Sequence, residues 1–163
     1  MPALRIGLGH DLHRLESGRP FVLGGVKIPH ERGPLGHSDG DALLHAVADA
    51  LLGARGLGDI GTFFPPGEAL TAGMDSRKLL EEVKCRALGK DWRVLNVDTV
   101  IVTDEPQIGP HREAIAQSLA QLLEIDPSCV GVKAKSSEGV TPESGGAALS
   151  ASAVVLLEMR EES

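Results

Sequence analysis

The last strand-like segment of the chain, Ala147 to Met159, places the tightest limit on what the chain can fold into. Leu149 and Val155 lie on one face of this segment, with the period of two that is typical of a β-strand. Val154 and Leu156, on the opposite face, are also apolar. A strand that is apolar on both faces is covered on both faces. Because helices can cover only one face of the sheet, we expect a subunit interface to cover the other.

The rest of the chain alternates between strand and helix patterns. The sequence predicts strands at Leu4 to about His10, Phe21–Pro29 (a hairpin), Trp92–Thr103 and Val130–Lys135, and helices at Asp41–Arg55, Asp75–Leu88 and His111–Leu123. Loops are expected at His30–Gly40, Asp59–Gly67 and Ser136–Gly146. These elements predict a mixed α/β fold of the α+β type, with one domain over residues 1–163. We expect a mixed four-stranded sheet with helices on one face, a small hairpin, and assembly as a trimer.

Composition and charge exclude several classes of partner. The formal net charge is −7 and no basic cluster is present, which argues against binding to nucleic acid or to a membrane surface. No apolar run approaches the roughly 20 residues that cross a bilayer. Cys85 and Cys129 lack the spacing of a disulfide framework or a zinc knuckle, and the first seven residues do not resemble a signal peptide. We therefore expect a cytoplasmic protein.

The sharpest local motif is Asp11-Leu12-His13, which the sequence places at the end of the first strand. In extended backbone, Asp11 and His13 point to the same side, roughly 6.5–7 Å apart. His45 lies on the first predicted helix, with Asp41 and Asp49 four residues to either side. One carboxylate and two imidazoles would leave an open position on a tetrahedral Zn²⁺, and one helical aspartate could orient His45. The spacing equally fits a surface histidine beside a turn and a solvated helix face.

Two loops have the composition of phosphate-binding segments. In Gly36–Asp41, which leads into the first helix, His37 and Ser38 could donate to phosphate oxygens. Lys133–Gly139 combines lysines and hydroxyls with Glu138, a hard oxygen ligand suited to Mg²⁺. Each loop alone also fits an ordinary solvated turn. The residues thus leave three functions open: a cyclising phosphoryl-transfer enzyme, a zinc phosphohydrolase, and a binding protein without turnover.

Taken in order along the chain, these motifs resemble the signature of the methylerythritol cyclodiphosphate synthase family. The matching segments are Arg5–His13, His37–Asp41 with His45, Leu57–Gly61, Asn96–Asp98, Pro106, Pro110–His111 and Val132–Ala134, which together span nearly the whole chain. The resemblance implies an isoprenoid-pathway enzyme that converts 4-diphosphocytidyl-2-C-methyl-D-erythritol 2-phosphate into 2-C-methyl-D-erythritol 2,4-cyclodiphosphate and CMP. It also implies a homotrimer whose active sites lie between subunits.

The resemblance further implies the cofactors and the residues of the site. It implies Zn²⁺ on Asp11, His13 and His45, and Mg²⁺ or Mn²⁺ on Glu138, bridging the diphosphate. His37 and Ser136 match positions that stabilise the transition state. Cytidine is expected against the Thr103–Gly109 segment. The implied substrate contacts are Asp11, His13, His37, Ser38, Asp59, Ile60, Gly61, Phe64, Thr103, Asp104, Glu105, Pro106, Gln107, Ile108, Gly109, Ala134, Lys135, Ser136, Ser137 and Glu138.

Overall fold

The framework of the protein is a five-stranded mixed sheet with a separate two-stranded hairpin, seen in a computed structural model that describes residues 3–36, 38–65 and 73–160. The strands are β1 (Leu4–Ser17), β2 (Phe21–Leu23), β3 (Val26–Ile28), β4 (Arg32–Pro34), β5 (Trp92–Val102), β6 (Val130–Lys135) and β7 (Ala148–Met159). The helices are α1 (Ala42–Ala54), α2 (Ile60–Phe63), α3 (Ser76–Leu88) and α4 (Arg112–Leu123). The sheet has the order β4-β1-β7-β5-β6, and only its β5–β6 pair is parallel.

The three long helices lie where the sequence predicted them, each boundary falling within one residue of the prediction. Two of them begin at a capping aspartate. The carboxylate of Asp75 accepts from the N–H of Arg77 at the start of α3, and that of Asp41 accepts from the N–H of Leu44 in α1. Such caps satisfy N–H groups that a helix leaves free at its start. No helix of the described residues is long and apolar enough to cross a membrane.

The prediction of four strands in the sheet is wrong, because β4 adds a fifth at one edge. This strand has three residues, two of them Gly33 and Pro34, and so short a segment shows no alternation. It pairs with the far end of β1, which runs to Ser17 and not to about His10. The sequence missed this extension because the buried side of β1 becomes polar there. The short helix α2 also lies in a segment that was predicted as loop.

Helix α1 lies directly against the backbone of β1, because glycines replace side chains at the contact. A Cβ atom built on Gly7 would lie 1.8 Å from the carbonyl oxygen of Ala50, and one on Gly9 would lie 1.9 Å from that of Ala46. Both distances are far below van der Waals contact. Asp11 is the next residue on the same face of β1, so this close approach brings it beside α1.

Replacing Gly9 by Ala should therefore cost about 1–3 kcal/mol of stability or more, since the new methyl group can be accommodated only by moving backbone. The matched control is Gly53→Ala, within α1 itself, where the nearest atom to a new Cβ is 3.8 Å away. That change should be neutral or stabilise by up to about 1 kcal/mol, because Ala favours helix over Gly. Urea denaturation of both variants measures the difference, and equal losses would contradict the proposed contact.

The face of the sheet opposite the helices is apolar and exposed in the single chain. Ile6 and Leu8 of β1 are 71% and 68% exposed, and they pair with Leu156 and Val154 of β7. Val154 is itself 41% exposed. Monomeric proteins rarely expose continuous apolar patches of this kind, which usually mark interaction surfaces. The helices thus cover one face only, as expected.

Candidate metal centre

Three potential metal ligands from two elements converge beside α1. Asp11 and His13 lie on the helix-facing side of β1, and His45 lies in α1. Their ligand atoms all fall within 4.8 Å of one another. Oδ2 of Asp11 is 2.9 Å from Nδ1 of His45 and 3.3 Å from Nε2 of His13. The structure therefore brings together the three side chains that the sequence analysis named as metal ligands.

This donor set fits a tetrahedral divalent metal. Ligand atoms bonded to Zn²⁺ at about 2.0–2.1 Å lie about 3.3 Å from one another, close to the two distances above. Nε2 of His13 is buried and has no hydrogen-bond partner among the described residues. Such an atom is costly unless a ligand binds it. With three protein ligands, a fourth position is left for an oxygen of the substrate.

Burial and mutual charge shift the pKa values of all three ligands. Burial favours the neutral form of Asp11, but the hydrogen bond from His45 and the charges of both histidines outweigh it and lower the pKa of Asp11. Burial lowers the pKa of His13. Burial also acts to lower the pKa of His45, yet the hydrogen bond and charge of Asp11 prevail and raise it. The lowered pKa values of Asp11 and His13 favour the unprotonated forms that bind a cation, whereas the raised pKa of His45 makes a cation compete with its proton.

The aspartates that the sequence analysis expected to orient His45 have other roles. Asp41 is completely buried, and its carboxylate accepts from the N–H of Leu44 and from two N–H groups of the hairpin turn. Asp49 accepts from the N–H of Ile60 at 2.7 Å, which ties α1 to the start of α2. The spacing of four residues placed both carboxylates near His45 in sequence. It could not show that backbone N–H groups would engage them first.

The second ring nitrogen of His45 faces two serine hydroxyls. Nε2 lies 3.0 Å from Oγ of Ser76, at the first position of α3, and 3.2 Å from Oγ of Ser38. The Ser76 hydroxyl in turn donates to Oδ1 of Asp39. Ser76 and Asp39 were not predicted to lie near His45. Their spacing along the sequence does not indicate this contact, because α3 reaches His45 only through tertiary packing.

Some of the residues that the resemblance places near the substrate lie in two short segments beside this centre. Ser38 belongs to the loop before α1, and the guanidinium of Arg19 donates to the carbonyl groups of Gly36 (3.3 Å) and Ser38 (3.4 Å) in that loop. His37, from the same loop, lies outside the described residues. The other segment is α2 with its ends, where Asp59 is the N-cap, Ile60 and Gly61 form the first turn, and Phe64 is the C-cap.

The remaining predicted contacts lie where β5 and β6 end. Thr103–Gly109 follows β5, Ala134 and Lys135 end β6, and Ser136–Glu138 begin the next loop. Asp104 joins the two segments, since its carboxylate accepts from the N–H and the hydroxyl of Ser137, both at 2.8 Å. These bonds lower the pKa of Asp104. Asp104 and Ser137 therefore use their side chains on each other, and this contact ties the segment after β5 to the loop after β6.

Ser136 and Glu138 form a second polar pair in that loop. The Ser136 hydroxyl donates to Oε1 of Glu138, and the Glu138 backbone has a φ of 52°, in the left-handed region. Both side chains are exposed. Glu138 is not one of the three residues whose ligand atoms converge at the metal centre. An exposed carboxylate in a fixed turn keeps oxygens free for a hard cation such as Mg²⁺.

The two groups of predicted site residues lie apart within one chain. His13 on β1 pairs with Leu149 of β7, and at the same end of the sheet Ser150 of β7 pairs with Val102, which pairs with Lys135. The path from β1 to β6 crosses three interstrand spacings, about 14 Å. The metal centre and the loops after β5 and β6 are therefore two separate groups of residues at one end of the strands.

Fold and site together define a mixed α/β protein with a candidate metal site of one carboxylate and two imidazoles. The sequence model of the YgbB family matches residues 4–158. The 2-C-methyl-D-erythritol 2,4-cyclodiphosphate synthase of Cyanothece sp. is 49% identical over 157 residues, 96% of this chain and 98% of that protein. The chain belongs to the YgbB family.

Solved structures agree with this assignment. A 2C-methyl-D-erythritol-2,4-cyclodiphosphate synthase in its CDP-bound form is 43% identical and has a TM-score of 0.86, with 94% of this chain and 99% of that chain covered. The bifunctional IspDF of Campylobacter jejuni has a TM-score of 0.93 at 28% identity. The match covers 99% of this chain but 44% of that longer one. The relatives are thus cyclising synthases, and one solved relative holds CDP.

Proposed function

We propose that this chain converts 4-diphosphocytidyl-2-C-methyl-D-erythritol 2-phosphate into 2-C-methyl-D-erythritol 2,4-cyclodiphosphate and CMP, in the non-mevalonate pathway of isoprenoid synthesis. The observation that carries the proposal is the trio of Asp11, His13 and His45, whose ligand atoms converge, in a chain that matches named synthases over nearly its full length. The unit of function is a single domain, residues 1–163. Its two free cysteines suit the reducing cytoplasm.

The reaction is an internal phosphoryl transfer. An oxygen of the 2-phosphate attacks the β-phosphorus, the bond from that phosphorus to the oxygen bridging the α- and β-phosphates breaks, and CMP leaves with the electron pair. The trio would hold Zn²⁺, and Glu138 would hold Mg²⁺ or Mn²⁺. When bound, these ions polarise a β-phosphate oxygen and neutralise charge on the departing phosphate. The protein supplies the rest by positioning the two ends of one molecule.

The environment of the metal centre supports cyclisation over hydrolysis. The attacking phosphate is already an anion, so this reaction needs no general base. Three carboxylates near the trio in the described part of the chain are engaged, Asp39 by the hydroxyl of Ser76, Asp49 by the N–H of Ile60 and Asp41 by backbone N–H groups. In this proposal Ser38 donates its hydroxyl proton to phosphate, and His37 and Ser136 stabilise the transition state. The reaction requires hydrogen-bond donors to phosphate oxygens, and it does not require a general base that activates water.

A homotrimer with shared active sites explains why the predicted site residues lie in two separate groups and why one face of the sheet is exposed. The apolar face formed by β1 and β7 needs a cover, and a second copy of the chain supplies one of matching character. The same packing can set the Thr103–Gly109 and Lys135–Glu138 loops of one copy beside the metal centre of the next. Cytidine then lies against Thr103–Gly109, held by backbone groups, since aromatic residues make up only 2% of the chain.

The origin of the product oxygens tests the reaction. In cyclisation every oxygen of both products comes from the substrate, whereas attack by a metal-bound hydroxide would place one solvent oxygen in a phosphate. A single turnover in ¹⁸O water, followed by mass spectrometry, distinguishes them. We expect unlabelled CMP and a product one water lighter than the hydrolysis product. Label in either product would point to a zinc phosphohydrolase, and an unchanged substrate would point to a binding protein without turnover.

Glu138→Gln should keep stoichiometric zinc but lose most Mg²⁺-dependent turnover, by about 10²-fold, because the amide is a weaker ligand without charge. The measurement is CMP release during a titration with Mg²⁺. The matched control is Glu113→Gln on α4, an exposed residue paired only loosely with Gln117, which should leave the titration curve unchanged. If Glu138→Gln gives the wild-type curve, Glu138 is not the magnesium ligand.

A further inference from the structure

We infer that Ser76 and Asp39 form a positioning relay for the metal ligand His45, in which Asp39 fixes the Ser76 hydroxyl and that hydroxyl fixes the imidazole. The inference rests on the metal site of the proposed function. It concerns two residues outside the metal-binding trio, contributed by the loop before α1 and by the first turn of α3. Metal-bound histidines in other proteins commonly donate their second N–H to a carboxylate or a carbonyl group. Here a serine stands between the histidine and the carboxylate.

The geometry determines which nitrogen of His45 does what. Nδ1 faces the centre, 2.9 Å from Oδ2 of Asp11, so it is the atom that binds a metal. A neutral imidazole that binds metal through Nδ1 carries its proton on Nε2. Nε2–H therefore donates, and the Ser76 Oγ at 3.0 Å is the nearer of its two acceptors.

The Ser76 hydroxyl can accept from His45 because its own proton has a fixed destination. It donates to Oδ1 of Asp39, while Oδ2 of the same carboxylate accepts from the Ser76 backbone N–H at 3.1 Å. Ser76 is completely buried, and its hydroxyl has no solvent to turn toward. With its proton on Asp39, the hydroxyl presents its lone pairs to the imidazole, and the carboxylate charge strengthens that acceptor.

The Ser38 hydroxyl is the second possible acceptor for the Nε2–H of His45, and its other contact indicates a different role. Its Oγ lies 3.2 Å from His45 Nε2 and also accepts from the N–H of Gly40 at 3.1 Å. No carboxylate takes the Ser38 hydroxyl proton among the described residues, so this proton is free for a phosphate oxygen. Ser76 thus orients the imidazole on the side away from Asp11, and the Ser38 hydroxyl remains available to donate to the substrate.

Zinc affinity tests the relay, measured by competition with a chromogenic chelator on the intact protein. Ser76→Ala should bind Zn²⁺ about 10–100-fold more weakly, the usual cost of losing such a partner. The matched control is Ser118→Ala, which removes a serine hydroxyl that donates to the carbonyl of Gly24 at 2.6 Å, outside the metal centre. This control should keep the wild-type zinc affinity. Wild-type affinity in a folded Ser76→Ala protein overturns the relay.

Three further measurements separate the possible failures. Urea denaturation without metal detects a purely structural role, since Ser76→Ala would then lose stability and keep its zinc affinity, which overturns the relay. His45→Ala tests the site itself, because zinc retained by this variant overturns the proposed metal centre. If His45→Ala loses zinc but Ser76→Ala binds it with normal affinity, only the relay is overturned. Asp39→Asn, which keeps an oxygen for Ser76 but removes the charge, should give a smaller loss of affinity.

The tautomer of His45 provides a readout that needs no variant. Long-range ¹H–¹⁵N correlation spectra of the zinc-loaded wild type should show Nδ1 bound to metal and a proton on Nε2. A His45 that binds metal through Nε2, with its proton on Nδ1, overturns the relay even if every variant fails to fold.

Discussion

His45→Ala is expected to abolish stoichiometric zinc binding and to lower turnover by about 10³-fold or more, while the protein stays folded. The metal supplies several kcal/mol of stabilisation to the charged transition state, and every 1.36 kcal/mol is a factor of ten in rate. His45 contributes one of the three ligand atoms that converge among the described residues, so its loss leaves Asp11 and His13 as an incomplete site. Elemental analysis of the dialysed protein and CMP release are the two measurements.

The control for this prediction is another histidine outside the trio. His30 lies edge-on to Phe21 near the hairpin, with ring centres 6.0 Å apart, and His30→Gln should keep both zinc and activity. Circular dichroism of His45→Ala establishes that the fold is retained. Zinc at the wild-type ratio in folded His45→Ala would rule out the assignment.

Val154→Lys is expected to dissociate the trimer and to abolish activity with it. Val154 lies in the middle of the exposed apolar face, opposite Leu8 on one side and Asp98 on the other. Asp98 already pairs with the ammonium group of Lys133. A lysine buried there without its own counter-charge costs several kcal/mol or more in each subunit. Since Val154 is 41% exposed in the single chain, the subunit itself should still fold.

Sedimentation equilibrium at micromolar concentration measures this effect, with the wild type expected as a trimer. Val22→Lys, the same change at a half-buried position of the separate hairpin, should stay trimeric and active. Mixing Val154→Lys with wild-type subunits adds a test of the shared site, because only active sites at intact interfaces should release CMP. A monomeric wild type that is fully active would falsify the model of active sites between subunits.

Much of the site was predictable from local sequence because its ligands lie on regular elements. Asp11 and His13 share a side of a strand, and His45 belongs to a helix whose cap, Asp41, is visible in the sequence. The neighbours of those ligands were not predictable in this way. Asp41 and Asp49 have the helical spacing of orienting groups, but each binds backbone N–H groups instead, and the structure places Ser76 at the imidazole.

Local sequence patterns predicted the long helices, the order of the main strands along the chain, the two-faced apolar character of β7 and the family to which the chain belongs. These follow from periodicity, caps and motif order, which are properties of neighbouring residues. Other features arise from the packing of distant segments: β4 joins the sheet, α1 lies on the backbone of β1 at Gly7 and Gly9, and Ser76 and Asp39 lie beside His45. Ser76 and His45 are 31 positions apart along the chain, and Gly7 and Ala50 are 43 positions apart. The packing of whole elements creates such contacts, and no local pattern specifies them.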